Sequence, residues 1–470
     1  MALNSFTFLF VFLPVVATGY RVLSPLGRLA PRVWLAAASV VFYATSGLRN
    51  LCLLSASIAF NALAARYLSA TTGPARRRLL LVGVGANLGF LSAFKYANFA
   101  LGSLGSWVPW LRLPDWAFPL GISFFTLQQI MYLVDCYEEL VEPHSLFDHV
   151  LFVSFFPSIT AGPITRARSM IPQLRASGTP RSAADDLAHG LFLFAIGLFK
   201  KAVLADSLGM LVDVGYADTR SIGHQGAWIC SIAYALQLYF DFSGYSDMAL
   251  GAARMLGIDL PKNFDAPYRS RSISEFWQRW HITLSQFITT YLYTPILRAM
   301  GRATIHKAAL ATFIAMVVAG LWHGPSWNYV CFGALHGVAL AVNQYWKRWK
   351  LLRLPPILGW LLTMLFVNVA FVLFRSATLA DAGRLCRMLV PGGSTVPDPF
   401  FQQVRAQGLA TFAPIWLLAL AAATFGRTAN ESLANFSPTP RRAVQTVALF
   451  LVAMLFMNSN LGRGFVYAGF

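Results

Sequence analysis

The sequence predicts an all-α, polytopic membrane protein, and three observations carry that prediction. Charged residues make up 12% of the 470 residues, about half of the roughly 25% of a soluble globular chain. Hydrophobic residues make up 57% and the mean hydropathy is positive. So little polar surface cannot enclose a water-soluble body of this size. Third, apolar runs recur along the whole chain, separated by short basic clusters. The net charge of +18 therefore reads as the positive-inside bias of membrane proteins. It does not point to nucleic acid.

In chain order, the runs that read as membrane helices are residues 6–20, 33–46, 51–65, 79–94, 118–134, 187–199 with an extension to 212, and 227–239. Later runs are 308–321, 329–342, 357–374, 409–424 and 443–456. These make about a dozen helices. Several are short for a crossing of about 20 residues, so they read as re-entrant or as extended by polar turns. No basic residue precedes the first run, which favours an uncleaved first helix over a signal peptide. Nothing marks an appended soluble domain or an inverted repeat, so residues 1–470 read as one membrane domain.

Basic loops set the orientation. Arg21, Arg28 and Arg32 lie in the first loop, and Arg66, Arg76, Arg77 and Arg78 in the third, against Arg49 alone in the second. That places the N-terminus outside and the first and third loops in the cytoplasm. Lys347, Arg348, Lys350 and Arg353 mark another cytoplasmic loop. Arg427, Arg441 and Arg442 bound the last one, and the Pro- and Gly-containing stretch 391–399 falls on the far side.

Two stretches break the crossing pattern. Residues 146–172 are apolar but carry Pro157, Gly162, Pro163 and Pro172, which reads as a re-entrant segment covered by protein. Residues 259–307 mix aromatic and charged side chains, which reads as helices in the cytoplasmic interface with Trp277 and Trp280 at headgroup level.

The candidate chemistry centres on His323, in Gly-Leu-Trp-His-Gly-Pro at 320–325, ending the run that starts at Ala308. Fifteen residues at 1.5 Å each put it about 22 Å deep. Gly324 and Pro325 break the helix beside the imidazole, and histidine exchanges a proton near neutral pH. A buried histidine bonding its neighbours is the plainer alternative. Ionisable groups inside a membrane nevertheless read as functional by default. His281 closes Glu-Phe-Trp-Gln-Arg-Trp-His at 275–281; on a helix it shares a face with Trp277, while Glu275 and Arg279 pair. Asp241, Tyr245 and Asp247 lie in a polar stretch at 237–247. Taken singly, each reads first as an interhelical hydrogen bond; together they point to a polar interior or a water path. Trp322 adjoins His323, and His336 on the following run is a further candidate for the same cavity. His144, His149, His189, His224 and His306 read as solvated.

Other classes lack their motifs. Cys52, Cys136, Cys230, Cys331 and Cys386 are scattered without a C-x-x-C pair or a Cys/His cluster, so neither a disulfide framework nor a metal site is expected. There is no Gly-x-Ser-x-Gly elbow, Walker A loop or His-Glu-x-x-His site. The residues alone leave open a channel or transporter passing a polar solute by Asp241, Asp247 and His323. They also leave open a histidine-ligated haem protein.

An ordered set of segments goes further. It comprises Phe-Pro-Leu-Gly-Ile-Ser-Phe-Phe-Thr at 118–126, Phe-Phe-Pro-Ser-Ile-Thr-Ala-Gly-Pro-Ile at 155–164, and Tyr-Phe-Asp-Phe-Ser-Gly-Tyr-Ser-Asp-Met at 239–248. Ser-Ile-Ser-Glu-Phe-Trp-Gln-Arg-Trp-His-Ile-Thr-Leu-Ser at 272–285, Gly-Leu-Trp-His-Gly at 320–324 and Phe-Val-Leu-Phe-Arg at 371–375 follow. Over nearly the whole chain this set resembles the membrane-bound O-acyltransferase (MBOAT) family. The nearer branch is the alginate O-acetyltransferases (AlgI); the D-alanyl transferases (DltB) are more distant. The resemblance implies a ring of tilted helices around a central tunnel. His323 then matches the catalytic histidine and His281 the second signature histidine.

The resemblance further implies acetyl-CoA or another acyl thioester as a cytoplasmic donor substrate, with no bound cofactor. It implies an exported polysaccharide as acceptor, a periplasmic or membrane-anchored acetyltransferase partner, contact with membrane lipids, and residence in a bacterial inner membrane. Asp241, Tyr245, Asp247, Trp322 and His336 are the tunnel candidates. One departure stands out. Ile288, Thr289 and Thr290 occupy the place of the branch's usual Arg-Asp pair, and Ile296-Leu297-Arg298 replaces its glycine turn.

Overall fold

Each apolar run becomes a helix, and among the described residues there is no strand. The computed structural model describes residues 1–104, 118–176, 183–220, 222–350, 352–390, 399–406, 408, 412–434, 436–459 and 464–466. The expectation for 391–398 falls outside them.

Seven described helices are long and apolar enough to cross a membrane: Phe8–Leu26, Leu48–Ala70, Gly73–Lys95, Ala183–Ala217, Ile305–His323, Pro356–Arg375 and Pro440–Asn458. Leu29–Ala44 and Ala413–Thr424 are apolar but shorter. Ile122–Tyr137, His224–Met255 and Trp327–Arg348 carry more polar residues. At 1.5 Å per residue, His224–Met255 is about 48 Å long, well beyond a ~30 Å hydrocarbon core, so it must tilt or project.

Burial sorts these helices. Almost every side chain of Ile122–Tyr137 is buried, and so is the middle of His224–Met255 from Ala233 to Ala253. Other helices turn large apolar side chains outward, among them Phe10, Leu63, Leu81, Leu361 and Leu455. In water such a surface promotes association; against lipid chains it costs nothing. Two inner helices touch backbone to backbone where they cross. A Cβ on Gly197 would sit 2.5 Å from the Gly244 carbonyl oxygen, and a Cβ on Gly244 2.7 Å from that of Gly197. Only glycine permits that approach, which is how small residues work at membrane helix crossings.

The stretch from Leu146 begins as the helix Leu146–Ser154, capped by the Ser145 hydroxyl. It then runs without helix through buried residues to the helix Ala167–Arg175. Non-helical backbone at such a place needs hydrogen-bond partners. Side chains from distant elements supply them: the Phe156 amide donates to Ser39 Oγ at 3.3 Å and the Ile164 amide to Thr283 Oγ1 at 3.1 Å.

Between 259 and 307 the structure differs from the interfacial expectation. Ile273–Arg279 is a seven-residue helix with Ser272 as its cap, and Glu275 pairs with Arg279 at 3.0 Å. Trp277 and Trp280, expected at headgroup level, are buried. Trp280 packs among Phe264, Phe276 and Phe371, with ring centroids 5.1–5.5 Å apart. Aromatic bulk here fills the core. A second correction concerns His149, expected in solvent. It is fully buried, its Nε2 2.9 Å from Gln129 Oε1 and its ring 4.4 Å from that of Tyr132. A polar partner on Ile122–Tyr137 makes that burial possible. His144, His189 and His224 are half-buried and His306 is exposed.

Candidate active site

The helix carrying His323 starts at Ile305, where the Thr304 hydroxyl caps the Lys307 amide, three residues before the apolar run. Its far end is therefore about 27 Å from its start, rather than 22 Å. Gly324 is extended and ends the helix, and Ser326 caps the return helix Trp327–Arg348. The two pack closely because Gly320 and Gly333 face each other. A Cβ on Gly320 would lie 2.3 Å from the Tyr329 carbonyl, and one on Gly333 2.3 Å from that of Met316. His306 Nδ1 lies 2.8 Å from the Tyr345 hydroxyl across the open ends, so Lys307 and Arg348 share one end of this hairpin and His323 lies at the other.

His323 is 4% exposed. Its ring neighbours are Trp322 at 5.0 Å, Phe374 at 5.2 Å and Phe332 at 6.1 Å. Phe332 packs at 4.5 Å on His336, whose Nδ1 accepts the Trp277 indole N–H at 3.1 Å. Indole only donates, so the neutral His336 ring carries its proton on Nε2. His281 sits in the left-handed region at φ 42°, in the break between Ile273–Arg279 and Ile282–Phe287. It is therefore not on the helical face of Trp277, as the helix continuing to 281 had implied. Its ring lies 4.7 Å from Phe242 and 6.3 Å from Trp322. Asn263 pins this break: its carbonyl accepts the Ile282 amide at 2.9 Å and its Oδ1 the Thr283 hydroxyl at 2.6 Å.

Two cavities approach this layer of rings. One, of about 560 Å³, is lined by Trp277, Ser285, Thr289, Thr312, Met316 and Gln344, among others. The second, of about 530 Å³, is lined by Asp206, Asp213, Tyr234, Gln237, Tyr329, Phe374 and Arg375, with Gly464 and Val466. Trp277 belongs to the first wall and Phe374 to the second. The rings of His336, Phe332 and His323 run between them.

Asp241, Tyr245 and Asp247 lie in the adjoining helix with ion-pair and hydroxyl partners. Lys201 Nζ donates to Asp241 and Asp206 at 2.7 Å each, and to the Gly464 carbonyl at 3.1 Å. The other Asp241 oxygen accepts the Val466 amide at 3.0 Å. Lys200 pairs with Asp247 at 2.6 Å, and the Tyr245 and Thr160 hydroxyls bond each other. The structure thus brings His323, Trp322, His281 and His336 together, and sets the carboxylates in a neighbouring buried network.

Sequence reasoning missed the lysines that pair these carboxylates, and it missed Lys95. An ionisable residue at the edge of an apolar run was the available signal. The apolar run 79–94 ends one residue short of it. Lys95 is 5% exposed, and its Nζ donates to the Trp322 carbonyl at 2.7 Å and to Ser123 Oγ at 3.0 Å.

The chain belongs to the membrane-bound O-acyltransferase family, MBOAT, whose model matches residues 106–377; it is a multi-pass membrane enzyme of O-acyl transfer. It is 38% identical over 420 residues to the peptidoglycan O-acetyltransferase of Helicobacter pylori, covering 82% of this chain and 79% of that protein. It is 35% identical over 402 residues to a Pseudomonas aeruginosa protein named "Probable alginate O-acetylase AlgI", covering 84% and 76%. A teichoic acid D-alanyltransferase of Streptococcus thermophilus is more distant, 30% identical over 240 residues and covering 49% and 58%.

Proposed function

We propose that this protein transfers an acetyl group from a cytoplasmic thioester, acetyl-CoA, toward hydroxyls of an exported glycan or of a partner acetyltransferase, in a bacterial inner membrane. The relatives named for acetyl transfer to peptidoglycan and alginate support acetyl as the group and a glycan as the destination. The observation that carries the reading is the buried His323 between two cavities, with rings closing the path.

The physical problem is that the donor and the glycan lie on opposite sides of the membrane. A proton-transfer group between two cavities lets each enter from its own side. His323 accepts the proton of the acceptor hydroxyl as the oxygen attacks the thioester carbonyl. When the tetrahedral species collapses, the C–S bond breaks and the imidazolium returns its proton to the thiolate. An O-acyl ester and a free thiol result. His281 and the ring layer exclude water, so the thioester meets the acceptor rather than hydrolysing.

The test supplies labelled acetyl-CoA to purified protein and compares acetyl esters on surface glycans of cells with and without the gene. Thiol release that depends on an added glycan acceptor, together with lost glycan esters in cells without the gene, is expected. Intact acetyl-CoA, unchanged glycans and solute flux in proteoliposomes would replace this reading with a transporter.

A further inference from the structure

Lys95 ends the helix Gly73–Lys95, and the next residue, Tyr96, continues the same contact. The Tyr96 hydroxyl donates to the Leu321 carbonyl at 2.8 Å, while Lys95 Nζ donates to the Trp322 carbonyl at 2.7 Å. These are successive carbonyls in the last turn of the His323 helix, where the usual intrahelical partner four residues on is missing; the Leu321 carbonyl also accepts the Gly324 amide at 3.1 Å. Water ordinarily serves such end carbonyls; in this buried place two consecutive side chains, Lys95 and Tyr96, reach both of them. Ser123, in the first turn of Ile122–Tyr137, fixes the ammonium from the other side at 3.0 Å, and the Trp322 indole N–H returns to the Ser123 carbonyl at 3.4 Å.

Among the described residues, Lys95 has no carboxylate partner. A buried ammonium without a counterion is costly. The negative end of the His323 helix offsets part of that cost. Packing alone would be met by an apolar side chain of the same length, without any desolvation penalty. The amine and its hydrogen bonds thus fix one thing in particular, the carbonyl directly preceding His323.

We propose that Lys95 is a positioning residue of the acyl-transfer site: its amine holds the Trp322 carbonyl and thereby sets the orientation of the His323 imidazole. The inference rests on His323 being the general base. Misplacing a reacting group by about 1 Å costs on the order of 10²-fold in rate, so that is the loss expected when the hold is removed.

The test measures transfer from radiolabelled acetyl-CoA to an added glycan acceptor for Lys95→Met, His323→Ala and the double variant, each checked by thermal shift in detergent. Lys95→Met should lower kcat by about 10²-fold with KM for acetyl-CoA little changed. The double variant should be no slower than His323→Ala, because residues acting as a unit are not additive. A purely structural lysine would multiply its loss onto that of His323→Ala, and that result would overturn the proposal. Near wild-type kcat in folded Lys95→Met, with His323→Ala impaired, would overturn it alone. A fully active His323→Ala would remove the base and the positioning role together. Should Lys95→Met not fold, Lys95→Gln keeps a donor without charge and carries the same double-variant comparison; a multiplicative loss there overturns the proposal equally.

Discussion

At the scale of single residues, backbone position separates the roles of the histidines. His323 and His281 are both buried, but His281 occupies a left-handed position pinned by Asn263, next to Phe242. Its side chain therefore shapes the break between two short helices as well as the ring layer. His281→Gln keeps a hydrogen-bonding group, and transfer assays should find it reduced but measurable. A folded His281→Gln as inactive as His323→Ala would reverse the ranking of the two. The lysines give a different kind of prediction. Lys201 is fully buried against Asp206 and Asp241. Lys201→Met strands two carboxylates, and breaking a buried pair costs about 3–5 kcal/mol. A large loss of thermal stability in detergent is expected, and an unchanged melting temperature would contradict the network.

At the scale of elements, the hairpin Ile305–His323 with Trp327–Arg348 is held by backbone contact at Gly320 and Gly333. Gly333→Val should separate the helices and cost both stability and activity; a variant with normal melting and normal transfer would refute the close approach. This hairpin also marks how much the sequence discloses. Apolar runs placed the helices, because burial and lipid demand the same composition. Their ends came from caps such as Thr304 and Ser326, which lie outside the apolar windows, so the boundaries moved. The polar stretch at 237–247, which reads as a polar interior or a water path, is the buried centre of His224–Met255. Its carboxylates are tolerated through Lys200 and Lys201, two helices' worth of chain pairing that no local pattern reveals. Likewise His323 was legible from its motif, whereas Lys95 acts across 227 residues of sequence. Trp277 and Trp280 misled because aromatic residues mark both membrane interfaces and buried cores.

At the scale of the whole molecule, transfer from a cytoplasmic donor to an exported acceptor needs a site reached from both sides. Lys307 and Arg348 share one end of the hairpin, and the basic loops predict that this end faces the cytoplasm. With the native cysteines replaced, Thr304→Cys should label only from inside and Ala380→Cys, after the Pro356–Arg375 helix, only from outside. Labelling of both from one side would overturn the topology. The central claim is that His323 moves the proton that lets an acyl group pass between donor and acceptor. The most direct measurement supplies labelled acetyl-CoA on the cytoplasmic face of membrane vesicles and follows esters formed for wild type and for His323→Ala, with thermal shift confirming the fold. General-base loss predicts a fall of roughly 10²–10⁴-fold with insertion intact. Ester formation at near wild-type rate in folded His323→Ala would contradict it.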